Sequence, residues 1–267
     1  MPEGDTVADT AARLRADLAG ATLQRADFRV PALATTSLVA WSVVDVRSRG
    51  KHVLIDLDRP DPPARYVLHS HLRMDGSWRT YPVGQRWTGG PGHLIRVALY
   101  TARTVAVGYH LHELALLTPA DLDARLAHLG PDLLDPAADP SEAVRRLAAD
   151  GDRPIAAALL DQRCLAGIGN VYQAELLFLR GLWPWTPVAA VDDLDALVRL
   201  AVRLMAANVG RATRSTTGSL RRGETSYVYG RSGQPCRRCG TLIRRAPMGE
   251  RITFWCPHCQ AQPASQP

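Results

Sequence analysis

Near the N-terminus, apolar residues fall at Val7, Ala11, Leu14 and Leu18, steps of four, three and four that put them on one face of a helix. Asp5 or Thr6 is placed to cap this helix and Gly20 to close it. From Ala21 to about Leu117 the period shortens to two. Val53, Ile55 and Leu57 alternate in register, as do Ile95, Val97 and Leu99, and Val105 and Val107 follow a short turn at Thr101-Ala102-Arg103. Glycine and proline punctuate these runs, which predicts a β-rich domain, a sandwich carrying one N-terminal helix. A connector at His128-Leu129-Gly130-Pro131-Asp132 follows, and the period becomes helical over Ser141–Ala149, Pro154–Gln162, Asn170–Arg180 and Val191–Ala207. Beyond Gly210 the chain returns to glycine, arginine and paired cysteines. The pattern is a β domain, then a helical domain with a small appended module.

Composition sharpens this outline without changing it. At 267 residues, with 46% hydrophobic and 22% charged positions, the chain suits one or two domains with a real core. No apolar run approaches the roughly 18–20 residues that span a bilayer. Met1-Pro2-Glu3-Gly4-Asp5 lacks a basic and then apolar profile, so the expectation is a cytoplasmic protein with no membrane partner. The net charge of +6 is unevenly spread: Arg211 to Arg251 holds ten arginines against Glu224 and Glu250, a local +8, leaving −2 for the remainder. So local an excess favours a phosphate backbone over a merely solvated basic surface. Of the 32 basic residues, Lys51 alone is lysine. Its compact, titratable ammonium in Arg49-Gly50-Lys51-His52 invites a chemical reading, set against a coding bias toward arginine.

Two Cys-x-x-Cys knuckles, Cys236/Cys239 and Cys256/Cys259, flank sixteen residues. That separation lets four thiolates converge on one zinc ion, and four cysteines leave no open position, so the metal is structural. A redox dithiol needs only one pair. Leu242-Ile243 and Ile252-Thr253-Phe254-Trp255 between the knuckles predict a β-hairpin. Cys164, in an apolar helical stretch, reads as a small core residue.

Asn170 follows Gly167-Ile168-Gly169 where a helical pattern begins, and a capped helix start offers donors to an anion; the same pattern also builds a plain helical hairpin. Removal of Met1 before the small Pro2 leaves a secondary α-amine, partly unprotonated at neutral pH, able to attack a sugar aldehyde carbon and form an iminium. Glu3 is one residue away as a proton donor and acceptor. The same residues also suit a simple helix entrance.

Pro2-Glu3-Gly4, Arg49-Gly50-Lys51, His71-Leu72-Arg73-Met74-Asp75-Gly76-Ser77, Gly167-Ile168-Gly169-Asn170-Val171-Tyr172 and Tyr229-Gly230-Arg231-x-Gly233-x-Pro235 before the cysteines are similar, in collinear order, to segments of the formamidopyrimidine-DNA glycosylase and endonuclease VIII family. The resemblance implies an α+β multidomain protein: a β-sandwich catalytic domain with one N-terminal helix (1–128), a helix–two-turn–helix α domain (129–230) and a zinc-ribbon β-hairpin (231–267), with DNA in the cleft between the lobes. It implies that Pro2 attacks C1′ of a flipped damaged nucleotide and expels the base, that Glu3 assists base departure and ring opening, and that β,δ-elimination leaves a single-nucleotide gap. It implies further that Lys51 contacts phosphate near the lesion and supports catalysis, and that Asn170 and Arg251 grip the same backbone. The resemblance places Met74, or neighbouring Leu72, in the loop whose wedge fills the hole left by the base, with Arg73 helping to occupy the space opposite; a buried core methionine is the other reading of Met74.

Pro2-Glu3-Gly4 and the short Ser215–Tyr227 segment resemble the endonuclease VIII branch, most nearly its actinobacterial-type relatives, and so oxidised pyrimidines. His71-Leu72-Arg73-Met74 looks closer to the formamidopyrimidine branch, which keeps an 8-oxoguanine-directed enzyme open. A zinc-ribbon DNA-binding protein without turnover is the reading from another class. The expected partner is damaged DNA and the expected state a monomer.

Overall fold

The computed structural model describes residues 2–262. The chain divides into two compact units, Met1–Ala127 and His128–Pro267.

The first unit opens with helix α1 (Gly4–Leu18) and then runs through strands β1 (Arg25–Phe28), β2 (Ser42–Arg49), β3 (His52–Arg59), β4 (Ala64–His71), β5 (Ser77–Pro82), β6 (Ile95–Tyr100), β7 (Thr104–Tyr109) and β8 (Glu113–Leu117). They form two antiparallel four-stranded sheets, ordered β2-β3-β4-β8 and β1-β6-β7-β5. Val7, Ala11, Leu14 and Leu18 are all buried, and they share one core with Val53, Ile55 and Leu57 of the first sheet and Val97 and Leu99 of the second. Full burial of each such leucine stabilises by roughly 1.5–3 kcal/mol.

Ile95 departs from the predicted register. A β-bulge between Ile95 and Val97 turns it to the opposite face, where it joins Val105, Val107, Tyr81 and Tyr109 in a separate cluster that Trp87 packs against. A helix absent from the sequence reading, α2 (Pro119–Leu126), buries Leu122 and Leu126 and packs against β4. Its N-cap is Thr118, whose hydroxyl accepts the Asp121 N–H at 3.2 Å.

The second unit carries α3 (Pro140–Ala148), α4 (Ile155–Leu160), α5 (Asn170–Arg180) and α6 (Leu194–Ala206), then the hairpin β9 (Arg244–Met248) and β10 (Arg251–Trp255). Residues of all four helices share one core. Ala174 and Phe178 of α5 also pack with Val228, Cys236, Ile243 and Cys256, so the terminal module rests on this helix. No described helix is long and apolar enough to cross a membrane.

Candidate functional site

Helix α1 starts at Gly4, one or two residues before the expected caps, so its N-cap is Glu3 rather than Asp5 or Thr6. The Glu3 carbonyl accepts the Val7 N–H at 3.0 Å, while its side chain makes no capping bond. Asp5 instead lies in the first turn, where its charge faces the positive end of the helix dipole. Glu3 is wholly inaccessible to solvent and Pro2 is half-buried. Glutamate is rarely buried to this degree, and this one does not cap its own helix. Met1, whose removal the reading of Pro2 requires, lies outside the described residues.

Lys51 sits in a two-residue loop between β2 and β3, closed by the Arg49–His52 pair. Gly50 leads the loop at φ 56°, the arrangement of a type II′ hairpin turn, which only glycine enters readily. Beside it stand three histidines that sequence reasoning passed over. His52 and His71 face each other across β3 and β4, and His52 Nδ1 lies 2.8 Å from His69 Nε2. Burial, above all, lowers both His69 and His71 to about 4. His71 Nδ1 accepts the Arg73 N–H at 3.0 Å, which needs an unprotonated nitrogen. At neutral pH the His69 and His71 rings are therefore uncharged, and Lys51 supplies positive charge at this corner. The period-two spacing of His69 and His71 was visible in the sequence, but pairing with His52 is a matter of strand register.

The β4–β5 loop separates the two wedge candidates. Leu72 is 2% exposed and packs in the main core, whereas Met74 is 55% exposed. Met74 is therefore not the core methionine of the alternative reading, and Leu72 packs in the core. Arg73, at φ 52°, is ion-paired to Glu113. Asp75 is bound by His110 Nδ1 at 2.7 Å and His112 Nε2 at 3.0 Å. Chiefly through the His112 hydrogen bond, its carboxyl is held below the usual range. Gly76 closes the loop with an N–H to the Leu72 carbonyl at 2.8 Å. A Cβ at Gly76 would meet that same oxygen at 2.5 Å and the His110 carbonyl at 3.0 Å, so the position admits no side chain.

Asn170 is the first residue of α5, with Gly169 as N-cap, so its side chain does not cap the helix. Its Nδ2 instead donates to the Ile252 carbonyl at 2.8 Å, and its Oδ1 is buried without a partner. Gln173 Nε2 continues the seam to Thr253 Oγ1 at 3.2 Å. Two of the predicted backbone contacts thus come together: Asn170 is tied to the residue after Arg251, which is exposed at the start of β10.

The four thiolates form the site of one structural zinc ion. Their sulfurs lie within 4.8 Å of one another, with separations of 3.9 Å (Cys236–Cys259) and 3.5 Å (Cys239–Cys256 and Cys239–Cys259). Zinc–sulfur bonds of about 2.3 Å in a tetrahedron require about 3.8 Å. Cys164 lies apart and buried, as expected of a core residue.

Glu175 and Arg231 also escaped the sequence reading. Glu175 is fully buried on α5; Oε1 accepts the Val228 and Tyr229 N–H groups, and Oε2 the Tyr227 N–H, each at 2.8 Å, together with the Thr216 hydroxyl. Arg231 donates to the carbonyls of Tyr227 and Pro235. Together they fasten the segment leading to the first cysteine. The signal for Glu175 was there: a helix apolar on every side is buried, and a carboxylate on it must find donors.

Comparison with known proteins agrees with this geometry. Residues 1–112 match the formamidopyrimidine-DNA glycosylase N-terminal domain, 129–219 its H2TH domain, and 233–262 the zinc finger found in FPG and IleRS. The Streptomyces coelicolor probable endonuclease 8 2 is 51% identical, the alignment covering 100% of this chain and 96% of that protein. The Mycolicibacterium smegmatis DNA-(apurinic or apyrimidinic site) lyase Nei2 is 49% identical over 97% of this chain and 99% of its own. The Lactococcus lactis Fpg, crystallised with DNA containing an abasic site, shares the fold at a TM-score of 0.78 and 20% identity, covering 97% of this chain and 100% of that one. With three family models in the expected order and half of all residues shared along the full length, the chain belongs to the formamidopyrimidine-DNA glycosylase family, with the endonuclease 8 proteins.

Proposed function

We propose that this protein is a bifunctional DNA glycosylase and abasic-site lyase of base excision repair that removes oxidised pyrimidines. The observation carrying the proposal is the chain start: a proline whose amine becomes the N-terminus once Met1 is removed, followed by a glutamate buried outright yet unused as a helix cap. The Pro2 nitrogen forms a bond to C1′ as the C1′–base bond breaks, and the base leaves with a proton. Ring opening, with Glu3 moving the proton to the sugar oxygen, gives an iminium that acidifies C2′–H. Loss of that proton expels the 3′ phosphate, and a second elimination expels the 5′ phosphate. Lys51 holds phosphate beside the opened sugar, and Asn170 and Arg251 grip the same backbone. Met74 fills the space left by the extruded base, Arg73 assists opposite, and Leu72 supports the loop from the core. On this reading residues 1–128 carry the chemistry, while 129–230 and 231–267 hold the DNA.

The lesion class is inferred from the Ser215–Tyr227 segment. It is short and closed on itself: the Ser215 N–H donates to Asn208 Oδ1 at 2.8 Å, the Thr216 N–H to the Thr225 carbonyl at 2.9 Å, and the Thr217 hydroxyl to the Glu224 carbonyl at 2.6 Å. So small a loop offers little cover for a flipped purine, which favours pyrimidines over 8-oxoguanine.

Borohydride reduction during reaction with thymine-glycol, 8-oxoguanine and abasic duplexes tests this. A covalent adduct on thymine-glycol and abasic DNA, absent when Met1 is retained, is expected. No adduct from protein with a verified free Pro2 refutes the chemistry. Adducts on 8-oxoguanine but not on thymine glycol refute the lesion class.

A further inference from the structure

We propose that Asp75, His110 and His112 form a second metal site, distinct from the four-cysteine centre, that takes zinc or a similar borderline divalent cation and tethers the Met74 loop. The three donors come from two loops: Asp75 from the turn between β4 and β5, and both histidines from the connection between β7 and β8. Their ligand atoms all lie within 4.8 Å of one another, the carboxylate bridging the two imidazoles at 2.7 and 3.0 Å. Two imidazoles and one carboxylate suit zinc, copper and nickel, and a three-ligand set leaves coordination positions for water or an outside ligand.

The geometry is close to what a metal needs. Bonds of about 2.0–2.2 Å to nitrogen and oxygen in a tetrahedron place the donors about 3.4 Å apart, inside the 4.8 Å within which the three ligand atoms already lie, with His110 Nδ1 on Oδ2 and His112 Nε2 on Oδ1 of the one carboxylate. Metal binding requires the Asp75-facing nitrogen of each imidazole to be unprotonated, so a neutral ring shifts its single proton to the other nitrogen, His110 to Nε2 and His112 to Nδ1. The backbone around the triad is built for close approach. His110 is held at φ 49° and Arg73 at φ 52°, conformations that non-glycine residues seldom adopt. Gly76 lets the His110 carbonyl come against the turn that carries Asp75. The two loops are packed backbone to backbone before any ion arrives, so an ion has little to organise.

Met74 immediately precedes Asp75, so an ion held by Asp75 and both histidines fixes the turn that must move for Met74 to enter a duplex. This consequence rests on the wedge role proposed above; the metal site does not.

The full chain, carrying its cysteine-bound zinc, is dialysed against micromolar free Zn2+ and its metal content measured. Wild type is expected to hold two zinc ions per chain and the His110→Ala/His112→Ala variant one. Wild type holding one, or the variant holding two, overturns the site. The variant's surviving zinc and its thermal unfolding report that it is folded. In the second arm, binding to an abasic-site duplex is measured with and without excess Zn2+. Severalfold weaker binding by wild type, with the variant unresponsive, supports the tether. Two bound ions with unchanged DNA affinity overturn it. Failure of the catalytic reading appears separately, as absence of the borohydride adduct in protein holding one zinc.

Discussion

Replacing Glu175 with glutamine should loosen the segment before the zinc module while leaving both chemistry and metal in place. The carboxylate lies fully buried and accepts four hydrogen bonds: Val228 and Tyr229 N–H at Oε1, Tyr227 N–H and the Thr216 hydroxyl at Oε2. Glutamine keeps one acceptor oxygen. With it in the Oε1 place, the amide NH2 faces the Tyr227 N–H, donor against donor, while the Thr216 hydroxyl rotates to accept. A buried N–H left without a partner costs about 1–3 kcal/mol, and losing the charge weakens the bonds that remain. The sum is about 3 kcal/mol, a large part of a domain's typical net stability of about 5–15 kcal/mol. Hydrogen exchange reads this directly: the Tyr227 amide, and with it those of Val228 and Tyr229 as the segment opens, should lose protection by about a hundredfold. Urea unfolding of the helical unit should shift to lower midpoint. Zinc at the four-cysteine centre should stay at one ion per chain, because no thiolate is touched. Exchange at these amides within threefold of wild type, on the order of 0.6 kcal/mol, would mean that the carboxylate cluster does not hold the segment.

His69 makes acid stability a test of the β-sandwich. Its folded value of about 4 lies below the ordinary 6.5, so its contribution is complete above pH 6.5 and is lost as pH falls toward 4. The difference amounts to about 3 kcal/mol, and His69→Gln should flatten that part of the urea-midpoint profile; parallel wild-type and variant profiles would refute it. Gly76→Ala forces a Cβ against the Leu72 and His110 carbonyls, both backbone, and should cost about 1–3 kcal/mol of stability in thermal unfolding, with weaker binding to abasic DNA. Lys51→Arg should lower the single-turnover rate roughly ten- to a hundredfold by misplacing the charge; wild-type kinetics would return the lone lysine to coding bias. Chelation of the cysteine-bound zinc should abolish DNA binding, and unchanged binding by folded, metal-free protein would contradict this.

What was legible in the chain was what local chemistry decides. The α1 face was read residue for residue, and α5 ends where its period ends. Elsewhere side chains outside the apolar period set the limits. Asp193, accepting the Ala196 N–H at 2.7 Å, starts α6 three residues after the apolar pattern begins. Asp161, extended and paired with Arg153 and Arg163, stops α4 short of Gln162. The Thr118-Pro119 start of α2 was readable as a cap followed by proline at the first turn, but lay in a stretch already assigned to strand and connector.

The sites divide along the same line. Four cysteines at fixed spacing announce a metal because the knuckle is local and the ligand chemistry narrow. The histidines could not be read this way, since His52 meets His69 and His71 only after β3 and β4 choose a register, and His110 meets Asp75 across 35 residues. Leu72 and Met74 make the same point at a finer scale. Both are apolar, two residues apart, and equally suited to a wedge by composition. The left-handed turn at Arg73 decides between them by sending Leu72 into the core and Met74 into solvent. Arg73 is itself held by Glu113, and the carbonyls of Leu72 and His110 leave no room at Gly76 for a side chain. The exposed methionine is thus a product of tertiary contacts made by Arg73, Gly76, Glu113 and His110. Substitutions at those supports should alter DNA affinity before they alter chemistry.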